Sequence, residues 1–172
     1  MSESFIKQLH LVLKTGTSDS REPWFKVGDY KLLVNEVGDR ITTDPKQVKA
    51  EMKKLLDNYN QKEKHSFEEI VEFHVEFERI HPFQDGNGRV GILIAFKVCL
   101  KNNIVPFIIL DSKKMFYYRG LKNWSQERGW LIVFGRIVCR KKAIKNVGLY
   151  TRKDHKKYGK YLKGLIKDEW VN

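Results

Sequence analysis

Cysteine is scarce in this chain, which has only Cys99 and Cys139 among its 172 residues. Two cysteines exclude a disulfide-rich scaffold and favour a reducing compartment, so we expect a cytoplasmic protein. Long apolar runs are lacking as well. The longest, residues 90–96, is too short to cross a bilayer, and the first residues lack the basic start and apolar core of a secretion signal.

Acidic residues are scarce in one part of the chain only. Residues 131–172 hold 12 of the 33 lysines and arginines but 3 of the 21 acidic residues, a net charge of +9. The first 130 residues contribute just +3 to the total of +12. A basic tail favours weak, salt-sensitive association with polyanions such as nucleic acid, without specificity. Only the charge supports such a contact.

Residues 81–89, His-Pro-Phe-Gln-Asp-Gly-Asn-Gly-Arg, concentrate the chemistry of the chain. They precede an apolar run at 90–96 that predicts a helix buried all round. Glycines before a helix let backbone N–H groups converge on an anion, and the helix dipole adds positive charge. Asp85 is a ligand type that Mg²⁺ accepts alongside phosphate oxygens. Histidine ordinarily titrates near neutrality, so His81 is expected to be able to take a proton from an attacking hydroxyl.

Residues 81–92 resemble the signature of the Fic family, HxFx(D/E)GNGRxxR. The match covers His81, Phe83 and residues 85–89, and the resemblance extends over about residues 1–130. The arginine that closes the signature falls at position 92, where this chain has Ile92. The resemblance implies a mainly α fold: a Fic-type helical bundle with a small β-hairpin flap in residues 1–130. A basic C-terminal segment follows at 131–172.

The same resemblance implies transfer of AMP from ATP to a Tyr, Thr or Ser hydroxyl of a target protein. His81 would be the general base, and Asp85 would hold Mg²⁺ against the phosphates. Such a reaction needs positioning and charge neutralisation more than covalent catalysis. The residues expected to bind the nucleotide are Gly86, Asn87, Gly88 and Arg89. Pro82 and Phe83 are interpreted as the wedge that fixes the loop on the core.

Residues 30–37 and 40–43 predict two short strands joined by Gly38-Asp39. They can be a surface hairpin without a role. In the Fic family, a hairpin at this point is the flap that aligns the target segment by strand pairing, a mode that suits an exposed edge. The resemblance therefore assigns target docking to a flap at about 30–43, through Leu32, Leu33 and Val34.

Capping signals predict where the helices begin. Asp44-Pro45 opens one helix, and the capping box from Ser66 to Glu69 opens another that delivers the chain to His81. A helix is also predicted from 113 to about 128. It contains Tyr117 and Tyr118, which resemble an aromatic pair near the nucleotide base in Fic domains and also fit ordinary core aromatics. Residues 158–170 can form an amphipathic terminal helix.

Three functions remain compatible with these features. The first is a Fic-type adenylyltransferase weakened by Ile92, with phosphoryl or phosphocholine transfer as a variant. The second is a catalytically impaired, nucleotide-binding regulatory Fic protein, and the third is a polyanion-binding protein. The family's restraining string, (S/T)xxxE(G/N), has its nearest counterpart at residues 18–23, which end in Pro23. Its partner would be Ile92, so we do not expect that restraint; a separate antitoxin is another partner that the family implies.

Overall fold

The computed structural model describes the backbone of residues 1–38, 40–106, 109, 114–125, 130–133 and 136–139. These residues are mainly helical, as predicted, and the chain divides into two compact units, Met1–Pro106 and Phe107–Asn172. The predicted helix at 158–170 lies outside the described residues. The domain boundary expected near residue 130 therefore stays a prediction, as does any contact made by the basic segment.

Four helices build the first unit: α1 (Glu3–Lys14), α2 (Pro45–Asn60), α3 (Phe67–Ile80) and α4 (Asn87–Lys101). A short 3-10 helix, Asp19–Arg21, follows α1. Helix α3 packs against both α2 and α4, and α1 also contacts α2 and α4. The core between them is mainly apolar. Its largest fully buried side chains include Phe77, Phe83, Ile6, Met52, Ile70 and Ile94, together with His10 and His74.

The predicted helix starts are confirmed by their caps. The Asp44 side chain accepts from the backbone N–H of Lys46 at 2.8 Å, and Pro45 occupies the first turn of α2. At α3, Ser66 and Glu69 make both reciprocal bonds of a capping box. These contacts satisfy N–H groups that have no acceptor within the helix.

The predicted hairpin is present but much shorter than expected. Strand β1 is Glu36–Val37 and strand β2 is Arg40–Ile41, paired antiparallel. The segment before β1 is not a strand because its backbone bonds the 81–89 loop instead. Lys31 N–H donates to the Pro82 carbonyl at 2.9 Å, and Leu33 N–H donates to Gln84 Oε1 at 3.2 Å.

Helix α4 corrects a second expectation, that residues 90–96 are buried all round. It packs against α3 and α1 along one side, so its buried residues recur in pairs one turn apart: Val90 and Gly91, Ile94 and Ala95, Val98 and Cys99. Leu93, Phe96 and Leu100 remain exposed. An apolar sequence all round the helix therefore does not mean burial all round.

The second unit contains α5 (Lys114–Ser125) and an antiparallel pair, β3 (Trp130–Val133) and β4 (Arg136–Cys139), with α5 against β3. The helix was predicted; the strands were not. Tyr117 is buried and Tyr118 exposed, and their predicted place near a nucleotide base stays a prediction. Among the described residues, no helix combines the length and the apolar character needed to span a bilayer.

Candidate active site

His81 is positioned by the end of α3. It is the residue after the helix, with φ 52° and ψ 61°, and its N–H bonds the Phe77 carbonyl at 3.0 Å. This left-handed conformation is uncommon for a residue with a side chain. It turns the chain sharply between α3 and the loop, and Pro82 follows as a residue that cannot continue the helix hydrogen bonding.

The ring of His81 has a defined proton arrangement. Its Nδ1 lies 3.3 Å from the backbone carbonyl of Glu78. Because a carbonyl only accepts, Nδ1 must carry the proton, which leaves Nε2 as the basic nitrogen. Burial lowers the pKa of His81 to about 4, so the imidazole is neutral at pH 7. This is the state that a proton acceptor requires.

Asn87 closes the loop on itself. Its side-chain Oδ1 accepts from Phe83 N–H and its Nδ2 donates to the Phe83 carbonyl, both at 2.8 Å. Asn87 is 1% exposed, and Phe83 is fully buried with its ring stacked on His10 at 4.0 Å. Phe83 is therefore the wedge expected from the sequence. The amide of Asn87 is used by the loop itself, and its phosphate contact stays a prediction.

Gly86 is the residue before α4 and has φ 80°. A Cβ at this position would also meet Leu13 Cδ2 at 3.1 Å, so both the backbone and the close approach of α1 require glycine. The N–H groups of the first turn of α4, which includes Gly88 and Arg89, have no acceptors earlier in the helix. Together with the helix dipole, they make this end of α4 suited to an anion.

Asp85 lies within a cluster of charges. Its Oδ2 accepts from Lys14 Nζ at 2.8 Å and from Arg89 Nη2 at 3.0 Å. Lys14 Nζ also reaches Asp19 at 2.5 Å. Burial alone would raise the pKa of Asp85, but the Lys14 hydrogen bond and the charge of Arg89 hold it below its usual value. The carboxylate is therefore ionised at neutral pH.

Two residues of this site, His10 and Lys14, were not identified from the sequence. Gly28 N–H donates to His10 Nδ1 at 3.0 Å, so Nε2 carries the proton and donates to the Asp85 carbonyl at 3.2 Å. Lys14 is only 3% exposed. The available signal was their spacing: the buried face of α1 is Ile6, His10 and Lys14, four residues apart, and two of the three are polar.

The remaining predicted residues lie around this loop. The side chains of Leu32, Leu33 and Val34 are 54%, 49% and 54% exposed. Because Leu33 N–H bonds Gln84, these side chains lie beside the loop. Ile92 lies one turn after Arg89 on α4, half-buried and without a donor. Among the described residues, no group of three or more His, Cys, Asp or Glu side chains is arranged to hold a metal.

Comparison with known proteins gives a family match. A sequence model of the Fic/DOC family matches residues 1–99. The chain is 28% identical over 102 residues to a protein of Aquifex aeolicus named "Probable protein adenylyltransferase". That match covers 58% of this chain and 31% of the relative, so the chain spans about a third of the relative's length.

Solved structures show the same fold. A Fic domain containing signaling protein from Bacteroides thetaiotaomicron matches with a TM-score of 0.64 and 30% identity, over 75% of this chain and 50% of that one. Fic-1 from C. elegans matches with a TM-score of 0.54 and 22% identity, over 72% and 36% of the two chains. The second likeness bears on the fold alone.

The Asn87 clamp predicts a local and a global effect of its removal. In Asn87→Ala, the buried N–H of Phe83 loses its acceptor, whereas the Phe83 carbonyl still accepts from Asn35 Nδ2 at 3.0 Å. A buried N–H without an acceptor costs about 1–3 kcal/mol, so we expect the free energy of unfolding to fall by about that amount. We also expect the Phe83 amide to exchange faster with deuterium. Urea denaturation and hydrogen exchange by NMR measure both effects.

Asn102→Ala is the matched control. Asn102, just after α4, also accepts from a backbone N–H, that of His65 at 2.7 Å, and donates to a carbonyl, that of Val98 at 2.8 Å. Its loss should lower stability but leave Phe83 exchange unchanged under native conditions. If both variants accelerated Phe83 exchange equally, Asn87 would not be the clamp of this loop.

Proposed function

Because the chain belongs to the Fic/DOC family, we propose that it is a protein adenylyltransferase that moves AMP from ATP to a protein hydroxyl. The acceptor would be Tyr, Thr or Ser. The observation that carries the proposal is a neutral His81, with Nε2 as its basic nitrogen, directly before the glycine loop that opens α4. Displacement at phosphorus needs a proton acceptor and an anion site side by side.

His81 Nε2 is the proposed acceptor of the hydroxyl proton. As the target oxygen forms its bond to the α-phosphorus of ATP, the bond from that phosphorus to the β-phosphate oxygen breaks and pyrophosphate leaves. The proton passes from the hydroxyl to Nε2. The Glu78 carbonyl holds the opposite side of the ring through Nδ1, which keeps Nε2 as the basic nitrogen.

The phosphates are assigned to the N-terminus of α4. The backbone N–H groups of the Gly86-Asn87-Gly88 stretch supply donors, and Asn87 is expected to keep the loop in the shape that presents them. Arg89 is more than half exposed and supplies a planar, permanently charged fork. Charge-assisted hydrogen bonds of this kind are stronger than neutral ones.

Asp85 is the proposed ligand of Mg²⁺. The residue fits this role because its carboxylate is half-exposed, ionised at neutral pH and adjacent to the anion-binding loop. One carboxylate suffices where phosphates and water complete the shell, which is how Mg²⁺ is usually bound. When bound, the ion supplies neutralisation of charge on the phosphate oxygens.

The exposed segment Leu32-Leu33-Val34 is the proposed docking edge for the target protein. The bond from Leu33 to Gln84 fixes this segment beside the loop, so a peptide aligned on it would have its hydroxyl close to His81. We propose a cytoplasmic location from the low cysteine content of the chain.

Ile92 supports a second candidate, a nucleotide-binding regulator with impaired catalysis. Positions 89 and 92 are neighbours one turn apart, and Ile92 offers no donor where the family signature ends in arginine. Loss of one charge-assisted contact costs about 1.5–3 kcal/mol, or roughly 10- to 10²-fold in binding or catalysis. The base, the loop and Asp85 remain, so we expect low but measurable transfer.

Replacement of the base should remove transfer without removing the fold. We expect His81→Ala to lower the rate of AMP incorporation by roughly 10²-fold or more, while the melting temperature and ATP affinity change little. Incubation with ATP and Mg²⁺, alone and in lysate, followed by intact mass measures the added group and separates AMP from phosphate or phosphocholine.

His65→Ala provides the control for His81→Ala. His65 lies just before α3, at the opposite end of that helix, and stacks on Tyr59 at 4.0 Å. The His65→Ala variant also loses a buried imidazole, but it should keep the parental rate of AMP incorporation. If His81→Ala incorporated AMP as fast as the parent, His81 would not be the general base.

Restoration of the missing arginine should increase activity. In Ile92→Arg, a guanidinium one turn from Arg89 regains contact with the phosphates, and we expect at least about a tenfold gain, since 1.4 kcal/mol is a factor of ten. Leu93→Arg adds the same charge at the next position, which is exposed on α4, and should give no gain. If Ile92→Arg folds and remains as slow as the parent, the missing arginine does not limit this protein.

A further inference from the structure

Glu78 is a buried carboxyl group without an obvious structural reason. It lies in the last turn of α3, three residues before His81, and is 7% exposed. Its Oε1 accepts no hydrogen bond from any of the residues that the structure describes. A buried polar atom without a donor is costly. Such groups therefore call for an explanation, and a functional role is a common one.

The other carboxyl oxygen of Glu78 faces the proposed base. The left-handed turn at His81 folds the ring back over the end of α3, so that Nδ1 lies 3.3 Å from the Glu78 carbonyl and 3.8 Å from Glu78 Oε2. Nδ1 is thus hydrogen-bonded to the carbonyl of Glu78 and lies close to the carboxyl group of the same residue. Both would stabilise the ring once Nε2 takes up a proton.

Two glycines of α4 leave space for the carboxyl group of Glu78. A Cβ on Gly91 would lie 2.9 Å from Glu78 Oε1, and a Cβ on Gly88 would lie 3.8 Å from it. The side chain therefore occupies the space between α3 and the first two turns of α4, below the anion-binding loop. The φ of Gly91 is one that any residue can adopt, so its backbone does not require glycine. A Cβ at this position would also lie 3.1 Å from the His74 ring, so the lack of space beside Glu78 and His74 explains the glycine.

We propose that Glu78 is a positioning residue for His81, which orients its ring and, when ionised, stabilises the imidazolium that forms during transfer. The proposal rests on the proposed function in treating His81 as the base. It differs from a packing role in one respect. A packing residue needs only the size of Glu78, whereas this role needs its negative charge.

The groups around Glu78 allow this charge to change near neutral pH. Arg40 of β2 donates to the Glu78 carbonyl at 3.1 Å, His74 lies near Oε1, and α4 faces it with glycines. Burial raises the pKa of Glu78 to about 7, and Arg40 only partly opposes this. Farther out, Lys31 and Asp85 act on the pKa of His81 in opposite directions.

The raised pKa sets the sign of two pH effects. The folded state retains the Glu78 proton better than the unfolded chain, whose pKa is 4.5, so the free energy of unfolding falls as pH rises from about 4.5 to about 7. Activity should change the other way: above about pH 7 the ionised carboxylate makes His81 a stronger base. Glu78→Gln lacks the charge that weakens the fold, so it should remain folded at pH 8.

The direct test follows the ring of His81 by NMR during a pH titration of the full chain. We expect its resonances to shift near pH 7, reporting Glu78, apart from the change at lower pH when the ring itself titrates. Glu78→Gln should abolish the change near pH 7, which is the upper step of the titration. Glu72→Gln, the same change two turns earlier on α3, should retain it. An upper step that is absent in the parent, or survives in Glu78→Gln, overturns the proposal.

Kinetics provide the second test. In the parent, kcat for AMP transfer should rise with pH through about 7. In Glu78→Gln this rise should disappear, and kcat at pH 8 should fall by up to roughly tenfold for each pKa unit that the charge adds to His81, because the rate follows the pKa of the base only in part. KM for ATP should stay nearly constant. Glu78→Asp keeps a carboxylate and should keep the pH dependence at a lower rate. A rise in KM with kcat unchanged would contradict a role at His81.

The two tests separate this proposal from the proposed function. If no variant transfers AMP, the adenylyltransferase assignment fails, yet the NMR titration still decides whether Glu78 acts on His81. If transfer occurs and the upper NMR step is missing, the assignment stands and the role of Glu78 is rejected. Gln at position 78 preserves size, so a loss of either signal reports the charge.

Discussion

Two hydrogen bonds between the Asn87 amide and the Phe83 backbone hold the loop on which the rest of the site depends. They close a five-residue turn, bury Phe83 against His10 and bring Gly86 to the start of α4. Without that closure, the backbone N–H groups would not converge at one end of the helix. The position of Asp85 follows from the same turn, whereas the base is positioned just before it by the end of α3.

Helix α1 contributes charge as well as packing. Lys14 and Arg89 reach the same oxygen of Asp85 from different helices, and His10 bonds the backbone of Asp85. A buried lysine is tolerated only with partners, and Asp19 with Asp85 supplies them. The first helix is therefore part of the site, although it is far from the loop in sequence.

The two histidines near the loop differ in whether a ring nitrogen remains available for proton transfer. Both His10 and His81 are neutral at pH 7 because burial lowers their pKa values to about 4. His10 uses both ring nitrogens for backbone contacts, so it has a structural role. His81 uses Nδ1 in the contact with Glu78, and its Nε2 is the nitrogen that can take part in proton transfer.

Much of this protein could be predicted from local sequence. Caps and helical spacing predicted α2 and α3, because the groups that satisfy a helix end lie within a few residues of it. The order of residues 81–89 likewise predicted the fold and the loop. Tertiary structure decided the rest. The strand expected at 30–37 shrank to Glu36–Val37 because its backbone bonds the loop. The ion pair of Lys14 with Asp85, the position of Glu78 against α4 and the exposed side of α4 depend on contacts between segments distant in sequence, which helical spacing does not specify.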